Sequence, residues 1–514
     1  MTKTLRLLFL TALLLIPAGC GSSPGGSGSD TAKLAPPGSF FYAEVNIDPS
    51  GSQEAGMRSI LGDLPGTGAP EERLNELLEK ASKSEKDSKV DYRQDVQPWL
   101  GDKAAVFVAA PKAGSKDTAW SAVVATTDEG KAKDTIAKGK KAGDKDANYN
   151  GTDYVIDSEG DAMAVVNGFF VAGSGAGVKA AIDANKGESL SESDRYKQAI
   201  DGVDDERIAL VYEDLSGLVQ TLASVSGESL GPAAPLLGSL FGGKPVVATI
   251  KAEQQALVID GSLIPGSAVL NLFGKSTPLL GDVPADSWLA IGQSDFGGVV
   301  KSLFGMFAGF AGGEEQLKAQ VRQASGLDLD RDVFSWIGDV AMFVNGDSQQ
   351  AIGGGVLIQS KDEAASRRAL TKLSALAAQT GDVTVSAADL GGAKGYKLAN
   401  ASAPRGVYML QSRDKVAITY GQGAAKQALS GSGDGLTSAP GFTDAADKLG
   451  EAYAPSIYVS VPPILGVADS FGASGNDWEQ AKPYLTILDY VIAGSAKSGD
   501  EAASRTRIGF KPHE

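Results

Sequence analysis

Asp95-Val96-Gln97-Pro98-Trp99-Leu100-Gly101-Asp102 returns later in the chain as Asp332-Val333-Phe334-Ser335-Trp336-Ile337-Gly338-Asp339. Five positions are identical, Trp and Gly among them, and Leu100/Ile337 is a conservative pair. An apolar run suited to a strand follows each copy, Ala104 to Ala109 and Val340 to Val344. The flanks repeat in the same order. Pro36-Pro37-Gly38-Ser39-Phe40 resembles Pro284-Ala285-Asp286-Ser287-Trp288, and Val123 to Asp128-Glu129 resembles Val356 to Asp362-Glu363. Phe169 to Ala176 resembles Val416 to Ala424, and Ile208 to Tyr212 resembles Ser456 to Val461. Collinear self-similarity of this kind is the signature of a duplicated unit. It predicts two tandem homologous halves, residues 36–275 and 276–514.

Within the first half, apolar patterning predicts strands near 40–47, 103–110, 119–127, 153–157, 162–167, 169–173, 207–213, 245–251 and 255–263. Helices are predicted near 52–62, 70–84, 129–141, 175–184, 194–200 and 214–225. Asn167-Gly168 joins two of the strands, and that dipeptide is a strong signal for a tight hairpin. The fold class expected is therefore α+β, each half a mainly antiparallel sheet with helices packed on one face. Trp99 and Trp336 each precede a strand beside a glycine, Gly101 or Gly338. There the ring can fold over the turn and seal one end of the core, a burial worth about 2–3 kcal/mol.

With 514 residues, 42 % apolar and 21 % charged, the chain is globular in composition and too long for one ordinary core. A net charge of −16 argues against nucleic acid as a partner, because phosphate binding needs clustered Lys and Arg. It also argues against attachment to anionic lipid through basic residues. One Cys, Cys20, and one His, His513, leave no intramolecular disulfide. They also leave a Ser-His-Asp triad, a Cys-His pair and a His-built zinc site without their central residue.

Lys3 and Arg6 precede an uncharged apolar run, Leu7 to Ile16, and Pro17-Ala18-Gly19 leads into Cys20. The run is too short to span a bilayer but fits a signal-peptide core, so residues 1–19 read as a leader. Small residues before a lone Cys resemble the lipobox of bacterial lipoproteins, with Pro17 standing where Leu is usual. That resemblance implies diacylglycerol on the Cys20 sulfur. Residues 20–35 then form a tether, whose Gly/Ser-rich part behaves as flexible coil. Stable anchoring takes more than one acyl chain. No other cofactor is expected.

Pro37-Gly38-Ser39-Phe40-Phe41-Tyr42-Ala43-Glu44-Val45-Asn46-Ile47-Asp48-Pro49-Ser50-Gly51-Ser52-Gln53 is similar to the opening of an uncharacterised bacterial family, domain of unknown function 3352. The Pro-Trp-Leu-Gly-Asp core of 95–102 looks like that family's second signature. Pro284-Ala285-Asp286 matches the family's Pro-Ala-Asp start better than the first copy does. The resemblance implies secreted or membrane-anchored proteins of about this size, with no activity attached and no functional residue to carry over.

Asp328, Asp330 and Asp332 alternate as at the start of a calcium loop, but Val333 stands where an EF-hand needs Gly, and Asp339 where it needs Glu. They read better as caps and turn residues. Gly173-Ser174-Gly175-Ala176-Gly177 lacks the Gly-Lys-Ser/Thr ending of a phosphate loop and reads as a strand-to-helix turn. Asp128-Glu129 and Asp362-Glu363 suit first helical turns. Leu236 to Phe241 and Val299 to Phe307 are the most apolar stretches of the body. They suit core packing or, alternatively, a groove for an acyl chain or a partner. Asp48, Asp95, Asp102 and Asp339 are the acids of the family-like motifs, and their spacing nominates no catalytic pair. The expectation is a non-catalytic lipoprotein on the outer face of the cell membrane, binding an envelope protein or component. A carrier of lipid is the alternative, and a His-independent hydrolase a more distant one.

Overall fold

The computed structural model describes residues 30–62, 89–109, 118–214, 245–263, 275–310, 313–401, 403–430, 435–496 and 502–512. Cys20, the leader, the tether up to residue 29, Leu236 to Phe241, the helix expected at 70–84 and all but Asp214 of the helix expected at 214–225 lie outside them. The chain divides into two compact units, Met1–Ile264 with Pro512–Glu514, and Pro265–Lys511.

In the first unit the strands are β1 (Ser39–Asn46), β2 (Leu100–Ala109), β3 (Ala119–Thr126), β4 (Lys145–Tyr149), β5 (Thr152–Ile156), β6 (Asp161–Val166), β7 (Phe169–Ser174), β8 (Ala209–Glu213), β9 (Val246–Glu253) and β10 (Ala256–Leu263). The helices are α1 (Gly51–Gly62), α2 (Glu129–Gly139), α3 (Gly175–Lys186) and α4 (Asp194–Ile200). The strands pair antiparallel in the spatial order β10-β9-β8-β1-β2-β3-β7-β6-β5-β4. The β6–β7 turn places Asn167 at φ 45° and Gly168 at φ 82°, the two left-handed residues that a tight hairpin requires.

The second unit holds β11 (Ser287–Gln293), β12 (Ile337–Asn345), β13 (Gly353–Ser360), β14 (Thr384–Leu390), β15 (Ala393–Asn400), β16 (Ala403–Ser412), β17 (Lys415–Tyr420), β18 (Tyr453–Ser460), β19 (Leu488–Ala496) and β20 (Ala502–Phe510). Its helices are α5 (Phe296–Phe310), α6 (Glu314–Ser325), α7 (Glu363–Gln379), α8 (Gln422–Leu429), α9 (Pro440–Leu449), α10 (Val461–Ser470) and α11 (Asn476–Thr486). The antiparallel order is β20-β19-β18-β11-β12-β13-β17-β16-β15-β14.

One expectation is corrected. Helices cover both faces of each sheet, not one. In β3, Val123 packs with Phe107 and with Val178 and Ile182 of α3, while its neighbour Val124 packs with Trp99 and with Ala132 and Ile136 of α2. In β13, Leu357 faces Ala424 of α8 and Leu449 of α9, and Ile358 faces Ala369 and Leu370 of α7. Successive residues of a strand point to opposite faces, so paired bulky residues such as Val123-Val124 demand cover on each.

Candidate functional site

The repeated octapeptide sits at a densely bonded turn in each unit, and Asp95 and Asp332 make much of the bonding. In the first unit, residues Tyr92–Val96 make one wide π-type turn, and the Asp95 amide donates to the Asp91 carbonyl at 2.9 Å. The Asp95 carboxylate closes the turn by accepting the Asp91 amide at 2.7 Å, and the Asp91 carboxylate accepts the Gln94 amide. Trp99 then folds back, its Nε1 donating to the Asp95 carbonyl and to Thr135 Oγ1 of α2 at 2.9 Å. Its ring, 1 % exposed, stacks on Phe170 with centroids 5.2 Å apart. Lys138, one turn beyond Thr135, donates to both Asp95 oxygens at 2.6 and 2.7 Å. The turn is thereby tied to α2.

The second unit builds the same object. Asp332 accepts the Asp328 amide at 2.8 Å, Trp336 Nε1 donates to the Asp332 carbonyl at 2.9 Å, and Lys372 of α7 donates to Asp332 at 2.5 Å. Arg331 adds a further bond at 3.2 Å. Burial alone would raise the Asp332 carboxyl, but the bonds from Lys372, the Asp328 amide and Arg331 outweigh it and bring it down to about 2.

Gly101 and Gly338 have a steric reason. A Cβ on either would meet the facing strand's carbonyl, Ala125 or Gln359, at under 3 Å. Asp102 and Asp339 differ in use. The Asp102 carbonyl accepts the Ile47 amide at 2.6 Å, whereas the Asp339 carboxylate accepts Thr277 Oγ1 at 2.8 Å and the Asp295 amide at 2.9 Å. Of the four motif acids, Asp48 and Asp102 come near one another. Partial burial, then Glu54 and Asp102, raise the Asp48 carboxyl. Asp95 is bound within its own turn and by α2, and Asp339 belongs to the second unit.

The alternating acids of 328–332 are engaged by cations: Asp328 with Arg322, Asp330 with Lys318 at 2.8 Å, and Asp332 with Lys372. Among the described residues no group of three or more His, Cys, Asp or Glu is placed to hold a metal ion. Asp128 and Asp362 cap α2 and α7, accepting the Lys131 amide and the Ala364 and Ala365 amides. Ser174 caps α3 through the Gly177 amide, and Gly173 and Gly177 leave no room for a Cβ against the Trp120 carbonyl. This is a packed strand-to-helix turn.

Sequence reasoning missed Lys138, Lys372 and Thr135. A signal was present, since each Lys stands ten residues after its helix-capping Asp, Asp128 or Asp362. It also missed an open recess of about 610 Å³ where α1 meets β9, lined by Ser52, Gln53, Gly56, Asp204, Glu206 and Lys251. Its polar groups are mutually bonded: Lys251 to Asp204 at 2.7 Å, Ser52 to Glu206 at 3.3 Å, and Gln53 Oε1 to the Ala252 amide at 2.8 Å.

Each unit thus carries the same strand order and one acid–tryptophan turn. The chain belongs to the family described as Protein of unknown function (DUF3352), whose model matches residues 21–471. Comparison with curated proteins gives no match. Among solved structures, crystal form I of TP0453 is similar at 10 % identity and a TM-score of 0.23, covering 46 % of this chain and 79 % of that one. Crystal form IV of TP0453 is similar at 9 % identity and a TM-score of 0.25, covering 46 % and 82 %.

Proposed function

We propose that this chain is an extracytoplasmic lipoprotein, held at the cell membrane by diacylglycerol on Cys20, whose duplicated body binds an envelope partner without catalysis. The observation that carries the non-catalytic reading is the use of the signature acids. Asp95, Asp332 and Asp339 are each bonded to backbone amides, hydroxyls or cations of their own unit, so the family's most recognisable residues serve as scaffold. Duplication is supported by matched detail. Both units use the Asp–Trp turn, with the Trp indole bonding the carbonyl four residues back and a Lys from the following helix on the Asp.

The anchor reading rests on Cys20 as the sole Cys at the end of an apolar run, ten residues ahead of Asp30. Just beyond, Thr31, Ala32, Leu34 and Ala35 are buried against the first unit, and Thr31 bonds Tyr42 and Glu44 at 2.8 and 2.7 Å. The leash from lipid to body is then about 35 Å at full stretch. Among the described residues no helix is long and apolar enough to cross a membrane. Cells fed an alkyne-tagged fatty acid should label the wild type and keep it in the membrane fraction, while Cys20→Ser should be unlabelled and lose membrane attachment. A wild type as blank as the Ser variant would remove the anchor. Membrane crosslinking that recovers no reproducible partner would remove the binding role.

A further inference from the structure

We propose that β14 is a docking edge at which two copies of this chain join, strand against strand, about a two-fold axis through Ala387. Among the described residues β14 pairs with β15 alone, which leaves its other side without a neighbour. Gly391 and Gly392, at φ 65° and 92°, make the tight turn between the two strands, and Leu390 faces Ala393 as the closing hydrogen-bonded pair. Bonded pairs alternate along an antiparallel ladder, so Leu390, Ala388, Ser386 and Thr384 direct their backbone groups to β15. Val385, Ala387 and Asp389 then turn theirs outward. Thr384, Ser386, Ala387 and Asp389 are exposed. The helices leave this rim open, since α7 meets β15 through Tyr396 and Leu398, and α8 meets it at Ala393.

Exposed edges are ordinarily guarded by Lys, Pro, a bulge or short length. The first unit's outer strand, β4, has such a guard: its 5 residues include Lys145 and an Asp146 held by Lys140 at 2.7 Å. β14 runs for 7 residues with no Lys, no Pro and no break in register. Its pattern suits a second copy. A two-fold through Ala387 sets Ala387 against its own copy and Val385 against Asp389, so outward residues meet outward residues and about six backbone hydrogen bonds close. Ser386, Ala387 and Ala388 along the seam are small enough for close approach. They are also too small to wall the side-chain pockets by which an edge selects a foreign peptide. The one charge of the strand, Asp389, lies about 14 Å from its copy across the axis, beyond the Debye length of roughly 8 Å at physiological salt. An edge about 24 Å long and about 10 Å thick covers about 240 Å², against roughly 800 Å² per partner in a stable complex, so the pairing is reversible. It requires neither acylation nor an envelope partner.

The test uses the full chain carrying Cys20→Ser, which has no other Cys. Ser386→Cys and Ala388→Cys are made separately in that background. The two-fold sets position 386 of one copy opposite position 388 of the other as a non-hydrogen-bonded pair, with Cα atoms about 4.5 Å apart and within disulfide reach. Two copies of the same variant hold their thiols out of register, with Cα atoms about 8 Å apart and beyond that reach. The experiment is run under mild oxidation at physiological salt, where the repulsion between two chains of net charge −16 is screened. At equal total concentration, the mixture should form its disulfide dimer about fivefold faster than either variant alone. Ala387→Lys, added to both, sets like charges face to face at the axis and should abolish the difference with the far-UV circular dichroism unchanged. Ala387→Pro removes an outward N–H, leaves the β15 ladder intact and should do the same. Equal rates in the mixture and alone would mark random collision, overturn the proposal and leave the edge to a different protein. A difference that survives both substitutions at Ala387 overturns it as well. Because no acyl chain and no other protein is present, this outcome is independent of the fatty-acid labelling and of the membrane crosslinking above.

Discussion

Trp99→Ala is expected to destabilise the first unit by about 3–5 kcal/mol, the range for removing a large buried aromatic. The loss has three sources. The cavity opens between β3, β7 and α2, where Trp99 packs with Val124, Phe170 and Ile136. The stacked pair with Phe170 disappears. Thr135 and the Asp95 carbonyl also lose the indole donor that joins helix to turn. Trp99→Phe keeps most of the volume and should cost about 1–2 kcal/mol for the unmade hydrogen bonds. Trp336→Ala should fall at the lower end of the first range, because Val416 stands opposite Ile358 where Phe170 stands opposite Val124, and among the described residues no ring is stacked on Trp336 as Phe170 is on Trp99. Urea unfolding followed by far-UV circular dichroism, fitted with one transition per unit, measures each value. A Trp99→Ala loss below about 1 kcal/mol would show that the ring does not seal this core.

The turn that carries this prediction was legible because its signals are local. An Asn-Gly pair, a capping Asp and a Trp-x-Gly beside a strand each declare geometry within a few residues, and Asn167-Gly168, Asp128 and Asp362 fold as their neighbours dictate. What escaped depends on contacts remote in sequence. Asp95 meets Lys138 across 43 positions and Asp332 meets Lys372 across 40, so the acids looked like turn residues when they are also ion-paired to helices. The second helical layer was written in the Val123-Val124 and Leu357-Ile358 doublets, yet short hairpins drew attention to an antiparallel sheet with one open face. Strand β4 was missed since Lys145-Asp146-Ala147-Asn148-Tyr149 lies largely exposed at the sheet edge with no apolar alternation. Its turn, Asn150-Gly151, carried the same dipeptide that revealed the β6–β7 hairpin.

Asp332→Asn should cost the second unit about 2 kcal/mol near neutral pH, and the cost should shrink in acid. The Asp332 side chain is almost wholly buried and accepts from Lys372, Arg331 and the Asp328 amide, so an amide there leaves Lys372 beside a dipole that cannot neutralise it. Lys372 itself is about one-third exposed and can turn to water, which keeps the figure below that of a fully buried pair. The sign follows from the carboxyl lying at about 2 in the folded chain against an ordinary 3.8. A depressed folded value stabilises above the unfolded value and is lost as pH falls through the folded one. Wild type should therefore lose this share of its stability between about pH 4 and pH 2, and Asp332→Asn should lack that share across the whole range. Other carboxylates held low, Asp328, Asp362 and Asp128 among them, titrate in both proteins and cancel in the difference. Unfolding measured from pH 7 down to 2 gives the difference curve directly. Two parallel curves, with the gap undiminished at pH 2, would place the source of Asp332's contribution outside its charge.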